Sequence, residues 1–291
     1  MKGAIAMSNY SIEDLKPETS LCTLEVEGAI ARLTLTREDV YNALNIELIS
    51  EIISILDWTR DRSVGERATL EDATGASYLR VLVLSGAGKH FCAGADINMM
   101  RDAGAKTAEE NRIDSERLDR LFNSLWTHPC FTIGKIQGVA LGGGAGLIAC
   151  LDHTIVDPGA RIALSEGKLG ILPAVIGPYV YRKVGSAQFR RLAMMAGRIG
   201  AEEALRIGLV NQVSESLEDA ENPVITEVMT TGPMAVAEAK KLTLTFDRWT
   251  DSDEALRKWT LDKTSEMRGS EEGQEGLSSF LEKRPPNWNE E

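Results

Sequence analysis

Hydrophobic and polar residues alternate along residues 21–36, on both sides of Glu27-Gly28, and this alternation predicts a β-hairpin. In the next segment, residues 43–61, the apolar positions recur at helical spacing and predict an amphipathic helix. Residues 61–77 are polar and have no periodicity, so they predict a surface loop. The apolar run over residues 78–86 predicts a buried strand that ends at Gly86.

Strand and helix patterns continue to alternate up to about residue 213. A loop of small residues over 86–97 comes before an amphipathic helix over 107–129. A second buried strand then begins at Cys130 and runs into three consecutive glycines, Gly142–Gly144. Such alternation of strands and helices is typical of an α/β architecture.

From Asn222 onward the patterns are only helical, and they include residues 233–246 and 270–284. A purely helical region that follows an α/β body often packs against a neighbouring subunit. The chain is therefore divided into a core, residues 1–221, and a helical region, residues 222–291.

Composition narrows the class of protein. The 291 residues are 43% hydrophobic and 26% charged, which is ordinary for a globular chain, and no apolar stretch is long enough to cross a membrane. Residues 1–10 lack the basic and apolar regions of a signal peptide. The net charge of −12 opposes binding to nucleic acid or to anionic membranes. Four scattered cysteines and three histidines give no zinc or disulfide pattern, so we expect no metal site and a cytoplasmic location.

Two glycine-rich turns follow buried strands, and both expose backbone N–H groups. Ala95 follows Gly94 in the first turn, and in the second Gly143 opens a helical pattern whose first amides are free. Two such amides that converge on one point would form an oxyanion hole. A glycine triplet alone is more often a plain tight turn. The turns match neither GxGxxG nor the phosphate-binding GxxxxGK[ST], and no GxSxG elbow of a serine hydrolase is present.

Six segments together resemble the crotonase (enoyl-CoA hydratase/isomerase) superfamily, in the family's order and spacing over nearly the whole chain. They are "REDVYNAL" (37–44), "GKHFCAGADI" (88–97), "IQGVALGGGAGLIACLD" (136–152), "ARIALSEGKLGILP" (161–173), "GRIGAEEALRIGLVNQV" (197–213) and "EGLSSFLEKRPP" (275–286). The resemblance implies a spiral of ββα units with a C-terminal helical trimerisation region. It also implies a homotrimer or a dimer of trimers.

The resemblance assigns roles to several residues. The amides of Ala95 and Gly143 would hold the carbonyl oxygen of an acyl-CoA thioester. Phe280 and Lys283 of a neighbouring subunit would contact coenzyme A, whereas Asn98 replaces a lysine that is common in the family. The other substrate-binding residues would be Val40, Tyr41, Ala43, Ala93, Asp96, Ile97, Gly142, Gly146 and Pro173.

Acid–base chemistry separates this chain from the usual hydratases of the family. Those enzymes carry two glutamates beside the α,β bond, and only the second is present here, as Glu166; Gly146 stands at the first position. One buried carboxylate can serve as acid and base in turn. Gly146 is expected to leave room for a water or a bulkier acyl group. No neighbouring residue obviously replaces the missing glutamate; Ser165, Tyr179 and Asp152 are candidates only by proximity in sequence, and a structural role is favoured for each.

The segment 164–185 is most similar to bacterial hydratases for 3-methylglutaconyl-CoA and related branched substrates. We therefore expect an enoyl-CoA hydratase, a lyase, that acts on a short or branched enoyl-CoA with Glu166 as acid and base. A Δ3,Δ2-enoyl-CoA isomerase with Glu166 as its single proton shuttle is the alternative. A protein that binds CoA esters with little turnover is another. No cofactor is expected, because coenzyme A is part of the substrate.

Overall fold

The computed structural model describes residues 16–65, 67 and 69–289. Residues 1–15, 66, 68, 290 and 291 lie outside the described residues, and the expectation about a signal peptide over residues 1–10 falls among them. The described part contains nine strands and ten α-helices.

The strands form two sheets. The larger has the order β1-β2-β3-β4-β6-β9, in which only β1 and β2 are antiparallel, and the smaller has the order β5-β7-β8. The strands are β1 Cys22–Glu27, β2 Ile30–Leu35, β3 Val81–Gly86, β4 Phe131–Ile136, β5 Val139–Leu141, β6 His153–Val156, β7 Arg161–Ala163, β8 Ile199–Gly200 and β9 Gln212–Val213.

The helices connect the strands and then form the C-terminal region. They are α1 Ile46–Asp61, α2 Ile97–Ala103, α3 Ala108–Trp126, α4 Gly143–Cys150, α5 Gly177–Met195, α6 Ala201–Arg206, α7 Leu217–Thr230, α8 Pro233–Asp247, α9 Asp253–Gly269 and α10 Glu271–Glu282. Short 3₁₀ turns cover Glu38–Val40, Ser165–Leu169 and Asn287–Asn289.

The chain winds as a spiral in which it visits the large sheet, then the small sheet, and then a helix. The units β4-β5-α4 and β6-β7-α5 follow this course completely. Earlier in the chain, isolated bridges replace the small strand, and they pair Leu44 with Ala95 and Cys92 with Ala140. The predicted α/β spiral of ββα units is confirmed.

The middle of the large sheet is buried on both faces, which explains why Val81–Leu84 of β3 is a continuous apolar run. In β3, Leu82 and Leu84 face the main core, whereas Val81 and Val83 face a second cluster that α7 covers. Glu221 of α7 is buried and forms ion pairs with Arg32 and Lys135, so charge as well as apolar contact attaches α7 to the sheet.

Two boundaries differ from the predicted ones. β3 begins at Val81 rather than at residue 78, because the amides of Tyr78 and Leu79 donate to the carbonyls of Leu70 and Arg62 in the preceding loop. The C-terminal helices begin before Asn222, since α7 starts at Leu217 and the Ser216 hydroxyl caps it by accepting from the amide of Asp219.

Three further observations concern the described residues. None of their helices combines the length and the apolar character that a membrane crossing requires. Their histidines, cysteines and acidic residues form no cluster of three or more that could hold a metal ion. The four cysteines are all free and buried.

Candidate active site

Two loops cross at the carboxyl ends of β3 and β5, and backbone hydrogen bonds fix the crossing. The amide of Cys92 donates to Val139 O (3.1 Å) and the amide of Leu141 donates to Cys92 O (3.0 Å). On the other side, Leu44 N donates to Gly94 O (2.8 Å) and Asp96 N donates to Leu44 O (2.9 Å). The position of each loop is therefore set by main chain rather than by flexible side chains.

Glycine is required at this crossing because the backbones approach too closely for a side chain. Gly94 has φ +94°, and a Cβ there would lie 2.5 Å from Leu141 O. Gly142 has φ +48°, a region that other L-residues rarely adopt. A Cβ on Gly144 would collide with the carbonyl oxygen of Cys92. The glycine triplet thus permits close backbone packing.

The amides of Ala95 and Gly143 lie next to each other and face the same opening. Leu44 pairs with Ala95 in a parallel bridge, but its hydrogen bonds go to the residues on either side, Gly94 and Asp96. The amide of Ala95, between them, therefore points away from Leu44. A Cβ on Gly143 would lie 3.7 Å from Ala95 N. Neither amide donates a hydrogen bond to any described residue, and Gly143 is the first residue of α4, where the helix dipole is positive. The pair can therefore bind an oxygen that carries negative charge.

Glu166 lies beside this pair of amides. It follows β7 on the 3₁₀ turn Ser165–Leu169, and the bond from Gly142 N to Ala163 O (2.8 Å) joins β7 to the glycine triplet. Its Oε1 is 3.2 Å from the point where a Cβ on Gly142 would lie. Its Oε2 is buried and has no hydrogen-bond partner among the described residues. Burial raises the pKa of this carboxyl, so it accepts a proton more readily than an ordinary glutamate.

A buried asparagine holds the loop over residues 37–44 against the same opening. Asn42 has φ +56°; its Oδ1 accepts from Arg37 N (2.8 Å), and its Nδ2 donates to Ala87 O (3.0 Å) and His90 O (2.8 Å). The Arg37 guanidinium donates to Asp96 Oδ2 at 2.7 Å. Burial alone would raise the pKa of Asp96, but the bonds from Arg37 and from Asn98 N lower it. Asp96 therefore remains charged and caps α2.

These elements enclose a cavity of about 430 Å³. Its lining contains ten of the residues that the resemblance assigned to the site: Val40, Tyr41, Ala43, Ala93, Ala95, Asp96, Ile97, Gly142, Gly143 and Glu166. It also contains six others: Asp39, Gly94, Asn98, Met100, Ser165 and Leu169.

Gly146 does not face the cavity, and the expectation that it leaves room beside the substrate is wrong. A Cβ on Gly146 would collide with Ile176 Cγ2 and would lie 3.0 Å from Phe122 Cε1. The space where a family glutamate would project is therefore filled by two core side chains. Because α3, α4 and the start of α5 pack tightly here, only a residue without a side chain fits at position 146.

Three other residues with an assigned role also lie away from the cavity. Pro173 is buried but does not line it. Phe280 and Lys283, at the end of α10, are exposed, and Phe280 has 83% of its surface accessible. Within one chain, neither side chain contributes to the site.

Of the three residues considered as replacements for a second glutamate, only Ser165 lines the cavity. Asp152 accepts from Thr132 N (2.8 Å) and forms an ion pair with Lys240. Tyr179 is buried against Phe122 and Trp126. Sequence reasoning gave no role to Asn42 and Arg37, which support the loop. The only sequence signal was their presence within the "REDVYNAL" segment.

Comparison with known proteins decides the family. The chain matches the enoyl-CoA hydratase/isomerase family over residues 25–291. It belongs to this family. The resemblance of the six segments is confirmed, and the chain is an enzyme of the hydratase/isomerase type.

Relatives in this family agree over most of their length. A short-chain-enoyl-CoA hydratase of Clostridium acetobutylicum is 31% identical over 269 residues, which is 90% of this chain and 94% of the relative. A carnitinyl-CoA dehydratase of Escherichia coli O157:H7 is 32% identical over 216 residues, or 72% of this chain and 81% of the relative. The crystal structure of an enoyl-CoA hydratase from Shewanella pealeana superposes with a TM-score of 0.84 at 35% identity, covering 93% of this chain and 97% of that one.

Proposed function

We propose that this enzyme adds water to a short or branched enoyl-CoA, with Ala95 N and Gly143 N on the thioester oxygen and Glu166 as the acid and base. The observation that supports this most strongly is the buried, unpartnered Oε2 of Glu166 beside two free amides. A buried carboxylate oxygen without a hydrogen-bond partner has a stability cost, and a catalytic role accounts for it.

The reaction follows from these three groups. The two amides donate to the thioester oxygen and draw electron density from C3 of the enoyl group. Water attacks C3 while one of its protons passes to the Glu166 carboxylate, and the electrons of the double bond move to the thioester oxygen as an enolate. The protonated Glu166 then returns that proton to C2, which restores both the carboxylate and the thioester carbonyl. Every proton transfer uses a group of this chain, so we propose that no cofactor is needed.

A hydratase is favoured by two kinds of evidence. The relatives above carry the names hydratase and dehydratase. The segment over residues 164–185 is similar to hydratases of branched enoyl-CoAs. The acyl group is a separate point: apolar side chains of Ile97, Met100 and Leu169 line the cavity and can contact the hydrocarbon part of a short or branched acyl group.

An isomerase is the second candidate, and a specific observation favours it. Ile176 and Phe122 fill the position of a second glutamate, so Glu166 would be the single proton shuttle between C2 and C4 of a 3-enoyl-CoA. The same two amides would stabilise the dienolate intermediate of that reaction.

Coenzyme A binding and assembly are linked in this proposal. The loop Val40–Ala43 would hold the CoA moiety, together with Phe280 and Lys283 from a neighbouring subunit of a homotrimer or a dimer of trimers. The nearly complete exposure of Phe280 and of Leu281 (80%) in one chain supports this arrangement, because such side chains are usually covered by a partner.

The four free cysteines fit a reducing compartment, and we place the enzyme in the cytoplasm.

One experiment tests the reaction. The purified protein is incubated with crotonyl-CoA, with 3-methylglutaconyl-CoA and with a 3-enoyl-CoA, while the enoyl-thioester absorbance is followed and the products are identified. Loss of absorbance with formation of a 3-hydroxyacyl-CoA supports the hydratase. A gain of absorbance from the 3-enoyl-CoA without hydration would favour the isomerase. Binding of all three without turnover would show a CoA-ester-binding protein.

A further inference from the structure

The hydroxyl of Ser165 lies beside the Glu166 carboxylate at the wall of the cavity. Its Oγ is 3.3 Å from the point where a Cβ on Gly142 would lie, and Glu166 Oε1 is 3.2 Å from the same point. The two oxygens therefore flank one small region of space next to the oxyanion-binding amides. The Ser165 side chain is half-buried and forms no hydrogen bond with any described residue.

The other polar side chains of the cavity either form hydrogen bonds with other residues or lie at the surface. Asp96 is tied to Arg37 and to Asn98 N. Asp39, Tyr41 and Asn98 are exposed. Packing of Ile176 and Phe122 also prevents any side chain at position 146 from reaching the cavity. Ser165 is thus the neutral hydrogen-bonding group that the structure places next to Glu166.

We infer that Ser165 positions the water that adds to C3 of the enoyl-CoA, an inference that rests on the hydratase function proposed above. The water has two hydrogens, and Glu166 takes one of them as a proton. Ser165 Oγ accepts the other as a hydrogen bond, which turns a lone pair of the water toward C3. Ser165 neither gains nor loses a proton during the cycle. It is a positioning residue, and it would hold the 3-hydroxyl group when the reaction runs in reverse.

This role separates two partial reactions of one site. Exchange of the C2 protons of a saturated acyl-CoA with D₂O needs the two amides and Glu166, but no added water. Hydration needs all of these and an oriented water. Loss of the Ser165 hydroxyl should therefore affect hydration and spare the exchange.

The test compares Ser165→Ala with the parent in both reactions. Hydration of crotonyl-CoA should show a kcat about 10- to 100-fold lower with little change in KM. The rate of C2 exchange of butyryl-CoA in D₂O, measured by NMR, should be retained. Ser165→Thr, which keeps a hydroxyl, should recover most of the hydration rate. Ser50→Ala, which removes an exposed hydroxyl on α1, is the matched control and should change neither reaction.

Three results would overturn the inference. Hydration by Ser165→Ala at the parental rate would show that the hydroxyl has no part in it. An equal loss of hydration and exchange would indicate a structural effect on Glu166. A parent enzyme that exchanges C2 protons but hydrates no enoyl-CoA would contradict the proposed hydratase function itself, and with it the role of Ser165.

Discussion

The glycine corner, defined here as residues 94–96 and 142–144, contrasts with the C-terminal helices α9 and α10. In the corner, the backbone is buried or lines the cavity, and hydrogen bonds with neighbouring segments hold it: Leu44 N donates to Gly94 O, Asp96 N to Leu44 O and Gly142 N to Ala163 O. In α9, which is fully described, no residue is buried, and α10 leaves Leu277, Phe280 and Leu281 exposed. One chain therefore completes the region that would do the chemistry but leaves the helical region uncovered.

The two regions differ in how exactly their groups must be positioned. An oxyanion hole requires amides fixed to within a fraction of an ångström, and main-chain hydrogen bonds within one chain can provide that. A clasp for the long CoA moiety tolerates looser positioning, so a neighbouring subunit can supply it. The following predictions are designed to disturb each region separately.

Among changes to these two regions, the largest effect is expected from a side chain in the corner. Gly94→Ala would place a Cβ 2.5 Å from Leu141 O at φ +94°, so the loop that carries Ala95 N must move away from Gly143 N. We expect the kcat for hydration to fall about 10²- to 10³-fold, as when one oxyanion donor is lost. Gly75→Ala is the matched control, because Gly75 also has a positive φ (+83°) but has no atom within 4 Å of its Cβ position. Equal activity of the two variants would refute a preorganised corner.

A smaller effect, on stability, is expected at Gly146. Gly146→Ala would force a methyl group against Ile176 and Phe122, and overpacking of this kind costs about 1–3 kcal/mol of unfolding free energy. Ile176→Ala removes the colliding Cγ2, so the double variant should be more stable than the sum of the single losses. Denaturant unfolding of the four proteins measures this coupling. Additive losses would mean that the two residues do not meet.

In the C-terminal region, the expected effect concerns assembly. The parent should be a trimer or a dimer of trimers at micromolar concentration by light scattering. Phe280→Glu should weaken that assembly, because it places a charge in a surface that a partner would cover. Gln274→Glu adds the same charge at an exposed position of α10 and should leave the assembly intact. A monomeric parent would contradict the neighbour-supplied roles of Phe280 and Lys283.

The smallest effect is a pH dependence of stability. The pKa of Glu166 is higher in the folded chain than in the unfolded chain, so the folded chain binds this proton more readily. The unfolding free energy should therefore fall as pH rises from the ordinary pKa of glutamate through the raised value. In Glu166→Gln this decrease should be reduced, because the cost of a buried charge is gone. Denaturant unfolding at several pH values tests this, and parallel curves for the two proteins would exclude the effect.

Local sequence predicted the glycine corner but not its surroundings. Gly142–Gly144 indicated close backbone approach because glycine adopts positive φ readily and has no Cβ to collide with a neighbouring backbone, and this signal is present in the sequence itself. The alternation of strands and helices also predicted the α/β fold, because the hydrophobic pattern of each element lies within a short stretch of sequence. Such signals depend on neighbours along the chain.

The environment of Gly146 could not be predicted because it depends on contacts between distant segments. Phe122 on α3 and Ile176 at the start of α5 meet Gly146 only after the spiral has closed. The resemblance to the family predicted that Gly146 stands where a glutamate is common, but the volume beside Gly146 is a property of tertiary packing. The unpartnered hydroxyl of Ser165 is a feature of the same kind, since only the folded chain shows that no described residue forms a hydrogen bond with it.

The central claim is that Glu166 transfers the proton at a site whose oxyanion hole is formed by backbone amides. The most direct test is Glu166→Gln, with crotonyl-CoA hydration and the binding of butyryl-CoA measured on the same protein, and with the exposed Glu202→Gln as control. Because the substitution leaves the amides in place, we predict that binding persists while kcat falls about 10²- to 10⁴-fold. Turnover within about tenfold of the parent, with binding intact, would contradict the claim.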